Sequence, residues 1–221
     1  MAQQTLIIGL GQFGMPLALS LSHHGSEVIA VDVNESQVNL IAPHVGEAIL
    51  LDAMDEESLA SIAPAQRDIC VCAIGEDNRE GSIIVTALLR QLGAKHIIAR
   101  ATDDLHARIL SLVGAHEVVN PERDYSDRLA VRIAWRHVVN VLPLGGNLVL
   151  TEVEAPESLW GRTLLELQLP KRYSVIVSAI RSKTSGGLGA EIPDPHKPIQ
   201  QGDILMLVST EQNARNFTER T

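Results

Sequence analysis

Through the first 140 residues, short apolar runs rich in β-branched side chains alternate with longer stretches whose apolar positions recur every three or four residues. The runs predict strands over 5–9, 27–32, 47–51, 68–73, 96–100 and 117–120, and the stretches between them predict helices over 14–24, 34–42, 55–62, 79–92 and 103–113. Strands that are apolar on both faces belong in a parallel sheet covered by helices on each side. Punctuation supports this reading. Asn34 and Gln37 have capping-box spacing, and Gly25 and Gly93 stand where helices would stop. The predicted fold is α/β, a Rossmann-type doubly wound, mostly parallel sheet.

The pattern changes after about residue 140. Residues 123–139 read as one more helix, and 141–147, containing LPLGGN, read as a linker. Strands are expected over 148–155, 173–181 and 203–209, with a short helix over 163–167. SKTSGGLGAE (182–191) reads as a flexible hairpin-like loop, and a proline-containing run over 192–203 leads into the last strand. The expected division is therefore a nucleotide-binding domain over 1–140, a linker over 141–147 and a small α+β module over 148–221, too small for a dehydrogenase's substrate domain.

Composition narrows the function classes. A chain of 45% hydrophobic and 20% charged residues is globular, and no apolar run reaches the roughly 18 residues that cross a bilayer. No cleavable leader is evident ahead of the first strand, and two cysteines two positions apart make no disulfide framework, so a cytoplasmic protein is expected. The net charge of −9 argues against a nucleic-acid surface.

Gly9-Leu10-Gly11-Gln12-Phe13-Gly14 fits G-x-G-x-x-G between a strand and a helix. Gly9 permits the tight turn, Gly11 lets backbone approach a pyrophosphate, and Gly14 lets the helix pack closely on the strand. The following helix offers unpaired N–H groups to phosphate. Asp32, at the end of the second strand, is placed to accept ribose hydroxyls and disfavours a 2′-phosphate. The alternative is a purely structural turn. Beyond the later strands lie Asp52 and Ala53, then Ala73, Ile74 and Gly75, then Arg100. Ile74 would pack an adenine or ribose edge and Arg100 would meet phosphate. Asp52 reads equally as a loop or capping carboxylate, and Arg100 also as a snorkelling surface residue.

Signs of catalysis are sparse. A Tyr-x-x-x-Lys pair fails at both tyrosines, since Tyr125 is followed at that spacing by Leu129 and Tyr173 by Val177. Cys70 and Cys72 read as core residues, and His23 and His24 as basic residues closing a helix. The nucleotide is expected to act as a signal and the chain not to be an enzyme. The alternatives are a small NAD-dependent oxidoreductase and a redox-sensing transcriptional regulator, the latter lacking a basic DNA-binding helix pair.

Taken together, IIGLGQFG (7–14), VIAVDVNES (28–36), LLDAMDEESL (50–59), VCAIGED (71–77), IIARATDDLHARIL (97–110) and VGAHEVVNPERD (113–124) resemble the RCK family of potassium-conductance regulators, in particular Ktr/Trk-type subunits of bacterial potassium uptake systems. WGRTLLELQLP (160–170) and IQQGDILMLV (199–208) resemble that family's C-terminal module. The resemblance implies a homo-oligomer of dimers forming a ring, octameric in the family. Such a ring lies on the inner face of the membrane against an integral-membrane potassium-translocating subunit. It implies ATP/ADP as ligands first and NAD(H) second. ATP-responsive relatives carry Arg in the glycine loop where this chain has Gln12, which lacks the charge for a terminal phosphate. Glu122 matches a family glutamate that approaches the neighbouring subunit's nucleotide, sometimes through a divalent cation such as Mg²⁺ or Ca²⁺. It reads equally as a first-turn helix residue after Pro121. Some relatives bind cyclic di-AMP between C-terminal modules through an Arg that aligns with Pro170, a departure that leaves the second ligand unsupported here.

Overall fold

The computed structural model describes residues 2–182 and 189–221. These form two compact units, Met1–Glu122 and Arg123–Thr221.

In the first unit the alternation seen in the sequence becomes β1 (Gln4–Ile8), α1 (Gly14–His23), β2 (Glu27–Asp32), α2 (Glu35–Ile41), β3 (Glu47–Leu50), α3 (Glu56–Ser61), β4 (Ile69–Cys72), α4 (Arg79–Gln91), β5 (Ile97–Arg100), α5 (Asp104–Val113) and β6 (Glu117–Val119). The six strands are all parallel, in the order β3-β2-β1-β4-β5-β6. Successive β1 side chains alternate between faces. Leu6 and Ile8 pack with Cys70, Cys72, Val85 and Leu110 on one side, and Ile7 packs with Val28, Ala30, Ala18 and Ile41 on the other. Both layers are buried, which explains why the strands read as unbroken apolar runs. Gly25 and Gly93 stop their helices with φ of 87° and 80°, in the left-handed region. Asn34 caps α2 by accepting from Ser36 N, not through a capping box with Gln37. Asp55, Asn78 and Asp103 cap α3, α4 and α5 in the same way. Strand order reverses between β1 and β4, so the chain leaves their carboxyl ends in opposite directions and opens a crevice there.

The second unit holds α6 (Pro121–Ala134) from Arg123 onward, β7 (Val138–Gly145), β8 (Leu148–Glu154), α7 (Leu164–Leu167), α8 (Leu169–Tyr173), β9 (Ile176–Arg181), β10 (Ile204–Thr210) and α9 (Glu211–Arg220). Its antiparallel sheet runs β7-β8-β10-β9. One face, with Val153, Leu205 and Leu207, buries against Leu167, Leu169 and Phe217. Thr163 and Glu166 close a reciprocal capping box on α7.

Two expectations change, and a third lies mainly outside the described residues. Residues 141–147 are no linker: they are the end of β7 and its turn into β8, with Gly145 and Gly146 at φ 104° and 60°. Pro143 is tolerated because β7 is an edge strand, with no neighbour on its outer side among the described residues. The helix expected over 123–139 ends at Ala134, and with β7 it lies in the second unit, so the compact first unit ends at 122 rather than 140. The loop expected over 182–191 falls mainly on 183–188, outside the described residues.

Candidate functional site

The crevice is built first by the glycine turn. Gly9 has φ +94°, and its N–H donates to Val31 O at 2.8 Å, tying the turn to β2. A Cβ on Gly9 would lie 3.1 Å from Ile74 N, and one on Gly14 would lie 1.8 Å from Gly9 O. The protein's own packing therefore demands glycine at both positions. Gly11 differs. A Cβ there would meet nothing within 4 Å, and its φ is not positive. Space at Gly11 points into the crevice, as backbone approach by a ligand requires. Unlike α2 to α5, α1 has, among the described residues, no side-chain cap and no acid in its first turn. Met15 N–H already donates to Gly11 O at 3.1 Å and Pro16 has no N–H, which leaves the Gly14 N–H as the amide this turn can offer an anion.

Asp32 forms the second wall. Its Oδ2 accepts from Leu10 N at 2.5 Å and its Oδ1 from Asn34 N at 2.8 Å. Both carboxylate oxygens are thus held by backbone, and each keeps further acceptor capacity for a hydroxyl pair. Asp52 Oδ1 accepts from Met54 N at 2.9 Å, so it is a turn carboxylate on the crevice wall, while Asp55 does the capping of α3.

Arg100 is no snorkelling surface residue. Its side chain is 12% exposed, and its guanidinium bonds Glu122 Oε1. The guanidinium carbon lies 5.7 Å from the Phe13 ring centroid, a cation–π distance. A Cβ on Gly75 would come within 2.8 Å of Arg100 Nη1, so the glycine makes room for the guanidinium.

The resulting crevice has a volume of about 1180 Å³ and brings together Gly9, Gly11, Gln12, Asp32, Asp52, Ala53, Ala73, Ile74, Gly75, Arg100 and Glu122. Phe13 and Gly14 are not on its wall. Phe13 packs with the layer around Ile7 and supports Arg100 from behind, and Gly14 seals α1 against the turn. Sequence reasoning missed Met54, Glu76, Asp77, Asn78 and Thr102, which also line the crevice. They sit in the loops after β3, β4 and β5, where the rule about carboxyl strand ends could have found them had it been carried to each helix cap. Among the described residues the lining carries five carboxylates (Asp32, Asp52, Glu76, Asp77, Glu122) against one guanidinium, and it contains no histidine, lysine, tyrosine or cysteine. Nor do three His, Cys, Asp or Glu side chains converge among the described residues to hold a metal ion; Glu122 pairs with Arg100 instead. Burial pushes the Cys70 and Cys72 thiols up to about 12 and about 11, which suits core residues and not nucleophiles.

A glycine turn, a strand-end aspartate and an uncapped helix meeting where strand order reverses define a Rossmann-type domain with a nucleotide crevice, here followed in the chain by a small α+β module. Residues 5–121 match the TrkA-N domain family and residues 148–221 the TrkA-C domain family, and the chain belongs to this TrkA-N/TrkA-C family. It is similar to Ktr system potassium uptake protein C of Bacillus subtilis (strain 168), with 34% identity over 223 residues covering 100% of this chain and 98% of that protein. To Ktr system potassium uptake protein A of Vibrio alginolyticus it is 33% identical, over 97% of this chain and 96% of the relative. Among solved structures, the GsuK channel bound to NAD matches with a TM-score of 0.69 at 18% identity, covering 99% of this chain and 39% of that one. This last likeness speaks for the fold alone, and the chain spans well under half of the GsuK polypeptide. The resemblance to RCK regulators read from the sequence is borne out.

Proposed function

We propose that the chain is a nucleotide-binding regulatory subunit of a potassium transport system, in which ligand occupancy changes the conformation of a ring and thereby potassium flux. The observation that carries this is the crevice itself: the open space over Gly11 and the backbone-held Asp32 line it together, and α1 begins directly behind the glycine turn. The ligand is an adenosine phosphate, ATP or ADP first and NAD(H) second. Its ribose hydroxyls bond Asp32, its phosphates lie over Gly11 toward Arg100, and Ile74 packs a base or ribose edge. Five carboxylates on the lining oppose an anion, so a divalent cation, Mg²⁺ or Ca²⁺, arrives on the phosphates. Membership alongside potassium uptake proteins supports the transport role. A nucleotide shifts a gate only by binding one conformation better than another, which requires no chemistry at the ligand.

Association with the membrane runs through a partner, since among the described residues no helix is long and apolar enough to cross a bilayer. Leu105 and Leu112 stand seven residues apart on α5, 62% and 86% exposed, and suit burial between copies in a homo-oligomeric ring. The test is calorimetry with ATP, ADP, NAD⁺ and NADH, with and without Mg²⁺, followed by potassium flux with the co-purified membrane subunit. Saturable binding and ligand-dependent flux are expected. Steady NADH turnover with a carbonyl compound, or no binding by any of the four, would overturn the proposal.

A further inference from the structure

We infer that the crevice takes up phosphate together with a proton: buried His106 accepts the proton and thereby turns the Thr102 hydroxyl into a donor for the ligand. This deepens the functional reading above and rests on it. Hydrogen-bond partners fix the resting state. Ser82 Oγ donates its one hydrogen to Arg79 O at 2.8 Å, so toward His106 Nε2, also 2.8 Å away, it accepts. Nε2 therefore carries the imidazole hydrogen, and Nδ1 is bare. Onto Nδ1 converge the Thr102 N–H at 3.3 Å and the Thr102 hydroxyl at 3.2 Å, both as donors. Thr102 lines the crevice, and with its hydroxyl hydrogen engaged by His106 it has only lone pairs for a ligand. A hydroxyl in that state opposes phosphate.

Protonation reverses the pair. Nδ1–H then donates to Thr102 Oγ1, and the hydroxyl hydrogen is released for a phosphate oxygen. The Thr102 N–H loses its acceptor in the exchange, which weighs against the change in the ligand-free protein. Burial, then the Arg79 charge, also favours the neutral ring, with Asp103 opposing. Arg79 from α4 and Asp103 at the cap of α5 pair with each other at 2.5 Å. Cys72 from β4, which donates to Ser82 O, has a thiol at about 11 and stays neutral. On the crevice side, Arg100 disfavours the imidazolium and the lining carboxylates favour it. A bound phosphate adds an anion and an acceptor at once, so charge and hydrogen bonding both shift toward the imidazolium. Linkage makes the effect reciprocal: a site that gains a proton with phosphate binds phosphate more tightly as pH falls. His106 is thus a positioning residue that acts through Thr102.

The test is calorimetry of NAD⁺, whose diester pyrophosphate does not itself titrate between pH 5.5 and 8, with adenosine as the uncharged control. Wild type should bind NAD⁺ roughly threefold more tightly at pH 5.5 than at pH 8, within the scale of one hydrogen bond, and adenosine equally at both. Titrations in two buffers of different ionisation enthalpy should show net proton uptake with NAD⁺ at pH 6, and His106→Asn and Thr102→Val should each abolish most of it. In the unmodified protein the His106 ring, followed by NMR, should titrate at higher pH with NAD⁺ or ADP bound than without. That readout needs no variant to fold and stands whichever of the two ligands binds. A ring that titrates at the same or lower pH in the complex overturns the proton linkage and leaves the nucleotide site standing. Undiminished uptake in Thr102→Val overturns the part given to the hydroxyl. Absence of binding by every ligand to wild type overturns the site and the linkage together.

Discussion

Alanine at position 11 and alanine at position 14 should produce opposite phenotypes, although both glycines belong to one motif. At Gly11 the added Cβ meets no protein atom within 4 Å and the backbone is not left-handed. Ligand-free Gly11→Ala should therefore unfold at the same denaturant concentration as wild type or slightly higher, gaining up to about 0.4–1 kcal/mol from the reduced entropy of the unfolded chain. Its methyl group occupies the space a pyrophosphate must approach, so affinity for ADP or NADH should fall tenfold or more, about 1.4 kcal/mol. At Gly14 the Cβ would lie 1.8 Å from Gly9 O, a backbone atom that moves only with the turn. Overpacking of this kind costs about 1–3 kcal/mol and here would also distort the site. Urea unfolding without ligand and calorimetric titration of each variant supply both readouts. If Gly11→Ala loses as much stability as Gly14→Ala, or binds as well as wild type, the assignment of that space to a ligand is wrong.

Further expectations can be checked alongside. Asp32→Ala should lose about 1–3 kcal/mol of nucleotide affinity in calorimetry through its missing hydrogen bonds to ribose. Buried His106 bonds Ser82 Oγ through Nε2 at 2.8 Å and accepts Thr102 N–H on Nδ1 at 3.3 Å. Burial, then the Arg79 charge, holds its pKa below the ordinary 6.5, with Asp103 opposing. Its contribution to stability is accordingly present above pH 6.5 and lost as pH falls through the folded value, so wild type should lose more stability from pH 7 to 5.5 than His106→Asn. Both cysteines, with thiols at about 12 and about 11, should resist alkylation at pH 8 until the chain is unfolded.

The first unit was legible because its central strands are buried on both faces and helices α2 to α5 carry side-chain caps, so periodicity and punctuation agree. Failures gathered where local chemistry is outvoted by position. Pro143 and the Gly145–Gly146 pair read as a break, yet an edge strand accommodates the proline and a hairpin uses the glycines. Helix α9 escaped notice because EQNARNFTER is almost wholly polar; Ala214, Phe217 and Thr218 alone make its buried face. In the site, the glycine turn and Asp32 follow from local spacing. The burial of Arg100 does not, since Phe13 and Glu122 reach it from two distant segments.

The double engagement of the Asp32 carboxylate limits how freely the crevice can be retuned. Swapping it for a smaller or cationic residue to admit a 2′-phosphate would also strand the Leu10 and Asn34 amides, one in the glycine turn and one at the cap of α2. Any redesign of ligand preference must therefore supply new acceptors for those two N–H groups in the same step.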